Sequence, residues 1–393
     1  MILANCLLFD GSRTVAGQAL RVADGLITAV GPAIPAGGDR VVDLDGDCVL
    51  PGLVNMHVHL GLALPGMPKP ADDVELALAM AGSARATLQA GVTTVRLVGE
   101  SNYVDFALRR AIEAGTLDGP RVFTAGHALC CTGGHGWDAD ALEADGADGF
   151  RRATRAQLRA GADLIKVCIS GGIAGEYERI DTAQLTDAEL AAVIETAHDW
   201  GRKVTAHAGP AGATQRAVEL GLDCVEHGYQ LTAQLTDEMA RRGVWYVPTI
   251  SVSRCAEYYD ASGVAPWLQE RALGAGPRHW ESLQHAIRSG VPIAMGTDLP
   301  PHAPYDGTSA TVRELEFMVE AGMTDLAALQ SATVRPIEWL DASDRLGSLG
   351  VGKRADLVVV RGDPSRDISA LRSLHLVMKD GRVYRDDHGL TPT

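Results

Sequence analysis

Between residues 49 and 297 the chain alternates short apolar runs with helix-patterned stretches, and glycine recurs where a helix gives way to the next strand. Strands are predicted at Val49–Val58, Val92–Val98, Arg121–Ala125, Leu164–Ser170, Lys203–Ala208, Cys224–His227, Trp245–Thr249 and Ile293–Thr297. Helices are predicted at Val74–Gln89, Tyr103–Ala114, Asp187–Trp200, Thr214–Leu220, Thr236–Arg242 and His279–Ser289. Gly91, Gly201, Gly221, Gly243 and Gly290 follow helices and precede strands. Glycine suits a helix C-terminus because it adopts left-handed backbone at no steric cost. Eight strands with intervening helices favour a (β/α)8 barrel over an open sheet, although the count alone also admits a doubly wound fold.

Both ends of the chain have a different texture. Ile2–Phe9, Ala19–Val22, Leu26–Val30 and Val41–Leu44 are short strand-like runs separated by Asp-Gly turns, and Asp356–Arg361, Leu376–Lys379 and Arg382–Tyr384 repeat the pattern. Such ends predict one small β-domain assembled from 1–54 and 347–393, around a barrel at 55–346. The 393 residues suffice for both parts, since a barrel takes roughly 250.

A net charge of −15, from 50 acidic and 35 basic residues spread along the chain, disfavours nucleic acid and anionic membranes as partners. No run approaches the ~20 apolar residues of a membrane span, and the first residues lack the basic-then-apolar pattern of a signal peptide. Seven cysteines form neither a CxxC pair nor a regular framework, so reduced thiols and a cytoplasmic location are expected, with Cys168 and Cys224 as small buried hydrophobes.

The polar residues of interest stand at the C-terminal ends of the predicted strands, the barrel face on which active sites are built. His57 and His59 are two apart on one strand and project to one side, so both imidazoles can reach one cation. Lys166 interrupts the apolar run Leu164-Ile165-Lys166-Val167-Cys168; a bare ammonium is costly to bury, but its carbamate would present two oxygens capable of bridging two cations. His207, His227 and Asp298 end the fifth, sixth and eighth strands. Six such residues on one rim suit two divalent cations, zinc by donor type, with cobalt, manganese or iron also open.

This constellation resembles the amidohydrolase superfamily, specifically its binuclear subtype with HxH, a carboxylated lysine, two further histidines and an aspartate. The opening strands to Pro51-Gly52-Leu53 and the closing Gly352-Lys353-Arg354-Ala355-Asp356 are similar to that family's split β-domain, which implies a β-sandwich. The segments Gly91–Arg96, Thr132-Gly133-Gly134-His135-Gly136, Lys166–Gly172 and Glu226-His227-Gly228-Tyr229 look like the prolidase-like dipeptidase branch, whose relatives include ochratoxin-degrading amidohydrolases. One departure is Leu97, where that branch often has aspartate straight after the arginine.

The resemblance implies that His57, His59 and Asp298 hold one metal, that His207 and His227 hold the other, and that carbamylated Lys166 bridges them. A hydroxide shared by both ions would attack an amide of a dipeptide or N-acyl amino acid, with Asp298 carrying its proton to the departing nitrogen. His135 is a candidate to hydrogen-bond the carbonyl, and a surface histidine in a glycine-rich loop is its alternative. Tyr229 could bind a substrate carboxylate or simply pack. Arg96 could orient a ligand or substrate, and His302 and Tyr305 could line the pocket or lie on the loop surface. Glu226, by strand alternation, should face away from His227 in a structural pair; His198, His279 and His285 should lie on solvated helix faces. Family habit implies a homo-oligomer acting on a small molecule.

Three rivals keep the fold. A lactonase, esterase or phosphotriesterase could use the same centre. A heterocycle deaminase of this superfamily usually lacks the bridging lysine, and a non-catalytic binding protein would be expected to have lost ligands.

Overall fold

The computed structural model describes residues 1–299 and 307–389, with the side chains of 307–309 excepted. His302 and Tyr305 therefore lie outside the described residues.

The two ends of the chain meet in one mixed sheet of eight strands. Its order is Arg382–Asp386, Leu376–Lys379, Leu357–Val360, Cys48–Pro51, Ile2–Phe9, Thr14–Ala23, Leu26–Gly31, with Val41–Asp43 also paired to Ile2–Phe9. The join is antiparallel, with Leu357 opposite Pro51 and Val360 opposite Cys48. Hydrogen bonding links these strands along one branched path. The middle strands of the sheet are buried on both faces. Leu357 and Val359 join a cluster with Leu3, Leu20 and Leu376, whereas Val358 and Val360 join the main core with Phe9 and Leu50. That is why Leu357–Val360 reads as an unbroken apolar run rather than an alternating one.

The middle of the chain is α/β with all-parallel sheets. One has the order Leu53–Val58, Val92–Leu97, Arg121–Thr124. The other runs Ala141–Glu143, Ala128–Cys130, Ile165–Cys168, Val204–Ala208, Cys224–His227, Trp245–Val247. The amide of Asp163 donates to Thr124 O at 2.8 Å between the two.

Three sequence expectations need correction. Val49–Val58 is two strands in different sheets, parted at Gly52. Ile293–Thr297 makes only an isolated bridge, Ile293 to Tyr246, because its amides are shared among different partners. Ala294 N donates to Tyr246 O, Met295 N to Ser331 O and Thr297 N to His57 O. The predicted helix His279–Ser289 is the last part of a longer one, Pro266–Ser289; Pro277, Gly274 and Gly276 disguise its first half in the sequence. The glycine punctuation holds: Gly243 and Gly290 cap their helices in left-handed backbone. All seven cysteines are unpaired. No helix among the described residues is long and apolar enough to cross a membrane.

Gly52 is fixed by contact. A Cβ there would lie 2.1 Å from Thr93 Oγ1 and 2.3 Å from its Cγ2, so the crossing between sheets has no room for a side chain. Gly52→Ala should destabilise the protein by about 1–3 kcal/mol, the usual range for overpacking. Chemical denaturation measures this directly; an unchanged midpoint would contradict the contact.

Candidate active site

His57, His59, Lys166, His207, His227 and Asp298 all line one pocket of about 920 Å³, counting the open space at its mouth. His57, His59, Lys166, His207 and His227 are buried. His57 Nε2 and His59 Nε2 lie 3.2 and 3.4 Å from Asp298 Oδ1, and His227 Nδ1 lies 3.8 Å from Asp298 Oδ2. One ligand atom from each of His57, His59 and Asp298 can be chosen so that all lie within 4.8 Å of one another, close enough to share a cation. The rings of His207 and His227 are 4.6 Å apart, and those of His57 and His227 4.7 Å.

Each of the four histidines has a hydrogen-bond partner at one ring nitrogen. His59 Nδ1 bonds Gly99 O at 2.7 Å, His207 Nε2 bonds Gly171 O at 3.1 Å, and His57 Nδ1 bonds Glu226 Oε2 at 2.8 Å. A carbonyl or carboxylate can only accept, so each of these ring nitrogens carries a proton and leaves the other nitrogen as the one a cation could use. His227 Nδ1 meets Thr249 Oγ1 at 2.7 Å, an arrangement that can do the same. Burial pushes His59 down, but Asp140 and Asp298 together hold it well above the ordinary imidazole range, so a cation would displace a proton there. Outer partners that fix tautomer and ring orientation are a hallmark of imidazoles that ligate metal.

The charges fit cations as well. Burial pushes His207 and His227 well below the ordinary imidazole range, and nearby cationic groups push the same way; neutral imidazole is the ligating form. Burial would raise the Asp298 carboxyl, but its histidine neighbours, His57 foremost, hold it well below the usual range. Lys166 is only 3% exposed, and among the described residues its amine has no hydrogen-bond or ion-pair partner. A buried ammonium without a counter-charge is unfavourable, whereas a carbamate at the same place would add an oxygen donor facing the histidines. His57, His59 and Asp298 fit one divalent cation.

His227 has φ +60° and is followed by Gly228, also at φ +60°. His227 lines the pocket and Glu226, one residue earlier, does not; it stands in a structural pair with Arg96 behind His57. Glu226 is fully buried and touches His57, Thr205 and Arg96. Asp298 and Thr249 adopt left-handed backbone too, at φ +52° and +50°. Such conformations are costly for residues with a Cβ and persist where surroundings over-determine them. The His227 carbonyl, for example, accepts from Tyr246 Oη at 2.6 Å and His279 Nε2 at 2.9 Å.

The remaining residues singled out in the sequence divide. His135 lines the pocket, stacks on His207 with ring centres 4.0 Å apart, and bonds Glu178 Oε1 through Nδ1 at 2.7 Å. Tyr229 lines the pocket but is buried flat against the His227 ring, 5.3 Å between centres. Arg96 is not in the pocket wall. It is fully buried, gives Nε to Met56 O, pairs with Glu226 and lies over Trp339, so direct contact with substrate is corrected to a place beneath His57. His198 is on the surface beside Asp223. His279, expected on a solvated face, is instead wholly buried behind Tyr229, and burial pushes it down to about 4. Sequence reasoning missed Glu178, Thr249 and Asp140, the last 3.2 Å from His59 Nδ1. No motif announces them, because each reaches the site from a loop or strand end distant in sequence.

The model of the amidohydrolase family matches residues 48–384. The chain belongs to that family. It is 31% identical to the ochratoxinase of Aspergillus niger over 374 residues, covering 86% of this chain and 75% of that protein. A solved Xaa-Pro dipeptidase with methionine bound in its active site superposes with a TM-score of 0.87 at 32% identity, covering 98% of this chain and 99% of its own. A solved prolidase in complex with N-methylphosphonate-L-proline gives 0.88 at 27% identity, with the same coverage. The protein is accordingly a hydrolase acting on carbon–nitrogen bonds.

Gly172 lets His135 approach His207, since a Cβ there would lie 2.3 Å from His135 Cε1 and 2.9 Å from His207 Cε1. Gly172→Ala should displace the His135 ring and lower turnover by about a hundredfold, the scale of a 1 Å misplacement, while the fold persists. Steady-state kinetics with circular dichroism checks this; wild-type turnover would show that the stacked ring is irrelevant to the reaction.

Proposed function

We propose that this amidohydrolase cleaves the amide bond of a dipeptide or N-acyl amino acid at a centre of two divalent cations, zinc being best suited to the donors. The observation that carries this reading is the common setting of the four histidines, each able to keep one nitrogen free toward the same space as Asp298 and Lys166. The division into a (β/α)8 barrel at 55–346 and a terminal β-domain from 1–54 and 347–393 belongs to the same proposal, and the seven unpaired cysteines suit a reducing cytoplasm.

In this reading His57, His59 and Asp298 hold one cation, His207 and His227 the other, and Lys166 joins them as its carbamate. When bound, the cations polarise a carbonyl and make water acidic enough to be a nucleophile near neutral pH. Asp298 takes the proton of the attacking water and returns it to the leaving nitrogen. Its side chain is 18% exposed and forms part of the pocket wall, so both partners of that transfer can reach it. His135, anchored at Nδ1 by Glu178, would turn its Nε2 edge to the carbonyl oxygen as negative charge grows there. Leu62, Leu64, Ile173 and Val252 give the pocket apolar walls for substrate side chains. Similarity to an ochratoxinase, a Xaa-Pro dipeptidase and a prolidase supports amides over esters.

The test is a screen of metal-replete protein against dipeptide and N-acyl amino acid libraries, scoring released amino acid. Turnover of aminated heterocycles with ammonia release, and none of amides, would overturn the proposal. Lys166→Ala should lower both metal content and rate, and full loading with normal activity would eliminate the carbamate. Asp298→Asn should preserve the circular dichroism spectrum while reducing kcat by about 10²–10⁴, the range attributed to a positioned proton carrier.

A further inference from the structure

The four outer partners of the histidines are not equivalent. His207 bonds a backbone carbonyl and His227 a hydroxyl, and His59 Nδ1 meets the Gly99 carbonyl with the partly exposed Asp140 carboxylate 3.2 Å away, but His57 Nδ1 bonds a carboxylate, Glu226, that is itself completely buried. We infer that Glu226 and Arg96 form a buried positioning pair that fixes the tautomer and orientation of His57, so that its Nε2 faces Asp298. This inference rests on the metal reading above and adds residues to it.

Every contact of the pair serves that end. Glu226 Oε2 is given to His57 Nδ1. Its other oxygen, Oε1, accepts from the Arg96 guanidinium and the Thr205 hydroxyl, with Cys224 Sγ 3.6 Å away. The carboxylate is thus gripped on the side away from His57 and cannot rotate without leaving a buried donor unpaired. Arg96 also donates from Nε to Met56 O, the carbonyl just before His57, so one guanidinium restrains both the ring's partner and the ring's backbone. These contacts tie strands Leu53–Val58, Val92–Leu97, Val204–Ala208 and Cys224–His227 beneath the site.

A purely structural role is a weak explanation. Burying an ion pair costs desolvation that well-packed apolar side chains would avoid, so it adds little net stability. Apolar replacements would fill the same space but leave His57 free to place its proton on either nitrogen. Only an acceptor without hydrogens at Nδ1 forces the lone pair to Nε2.

Glu226→Gln discriminates the two roles. The amide has one acceptor and one donor end. If its oxygen stays with Arg96 and Thr205, its NH2 faces His57 Nδ1 and drives the proton to Nε2, removing the ligand lone pair. If it turns over, Arg96 meets a donor. Protein loaded with two equivalents of Co(II) is the probe. The variant should show altered visible absorption bands and about 10–100-fold weaker retention of one equivalent against a chelator, the usual cost of losing an outer partner of a metal-bound histidine. The second equivalent should be held as in the unsubstituted protein. A merely structural role would lower the melting temperature of the metal-free protein and leave the bands of the folded variant unchanged, and that result overturns the inference. Should Glu226→Gln fail to fold, Thr205→Val removes one grip on the carboxylate with almost no change in shape. It should weaken retention of the same equivalent a few-fold; wild-type retention and bands would again overturn the inference. If the unsubstituted protein takes up no cobalt, the metal reading itself falls, and this inference with it.

Discussion

Ligating and ionisable side chains set on the inner ends of apolar strands are removed from water, and each needs a partner or a reason to be there. In this chain the partners lie on the outer side of each ring: Gly99 O, Gly171 O, Thr249 Oγ1 and the Glu226 carboxylate. On the inner side His57, His59 and Asp298 can each bring a ligand atom within 4.8 Å of the others, and Lys166, His207 and His227 line the same pocket. Taken without cations, that arrangement leaves a buried amine unpaired and several lone pairs turned toward a carboxylate. In the proposed reading, two divalent cations and a carbamate would satisfy these groups together.

The fold keeps the six positions in register by different means at different places. His57 and His59 are spaced by simple strand alternation on Leu53–Val58 and just past it. His227 and Asp298 depend on left-handed backbone steps, where the surrounding hydrogen bonds must overcome local strain. The segment carrying Asp298 is not a regular strand, so its carboxylate is placed by irregular bonds to His57 O and neighbouring chains. The terminal sheet joins the rest at Gly52, one short turn before the first histidine strand. Its packing and the position of His57 are mechanically linked.

Much of this was legible in the sequence because period and chemistry agree there. The glycine-punctuated alternation of apolar runs and helices located most strands, and ligand-type residues at successive strand ends located the site. What escaped had physical causes. Strand periodicity cannot foresee left-handed steps such as those at His227 and Asp298. Helix breakers mislead when a helix tolerates them, as Pro266–Ser289 does around Pro277. The burial of His279 and the pairing of His135 with Glu178 are tertiary contacts across 52 and 43 residues, which no local pattern encodes. Leu97, singled out as a departure from the family pattern, is simply a fully buried core residue.

The central claim is that two cations occupy the space shared by His57, His59, Lys166, His207, His227 and Asp298. The most direct measurement is a crystal structure of protein grown with zinc, with anomalous difference maps recorded on both sides of the zinc absorption edge. The account predicts two peaks in that space and density for a carboxylated Lys166 between them. Absence of both peaks, with Lys166 unmodified and turned away from the histidines, would contradict it.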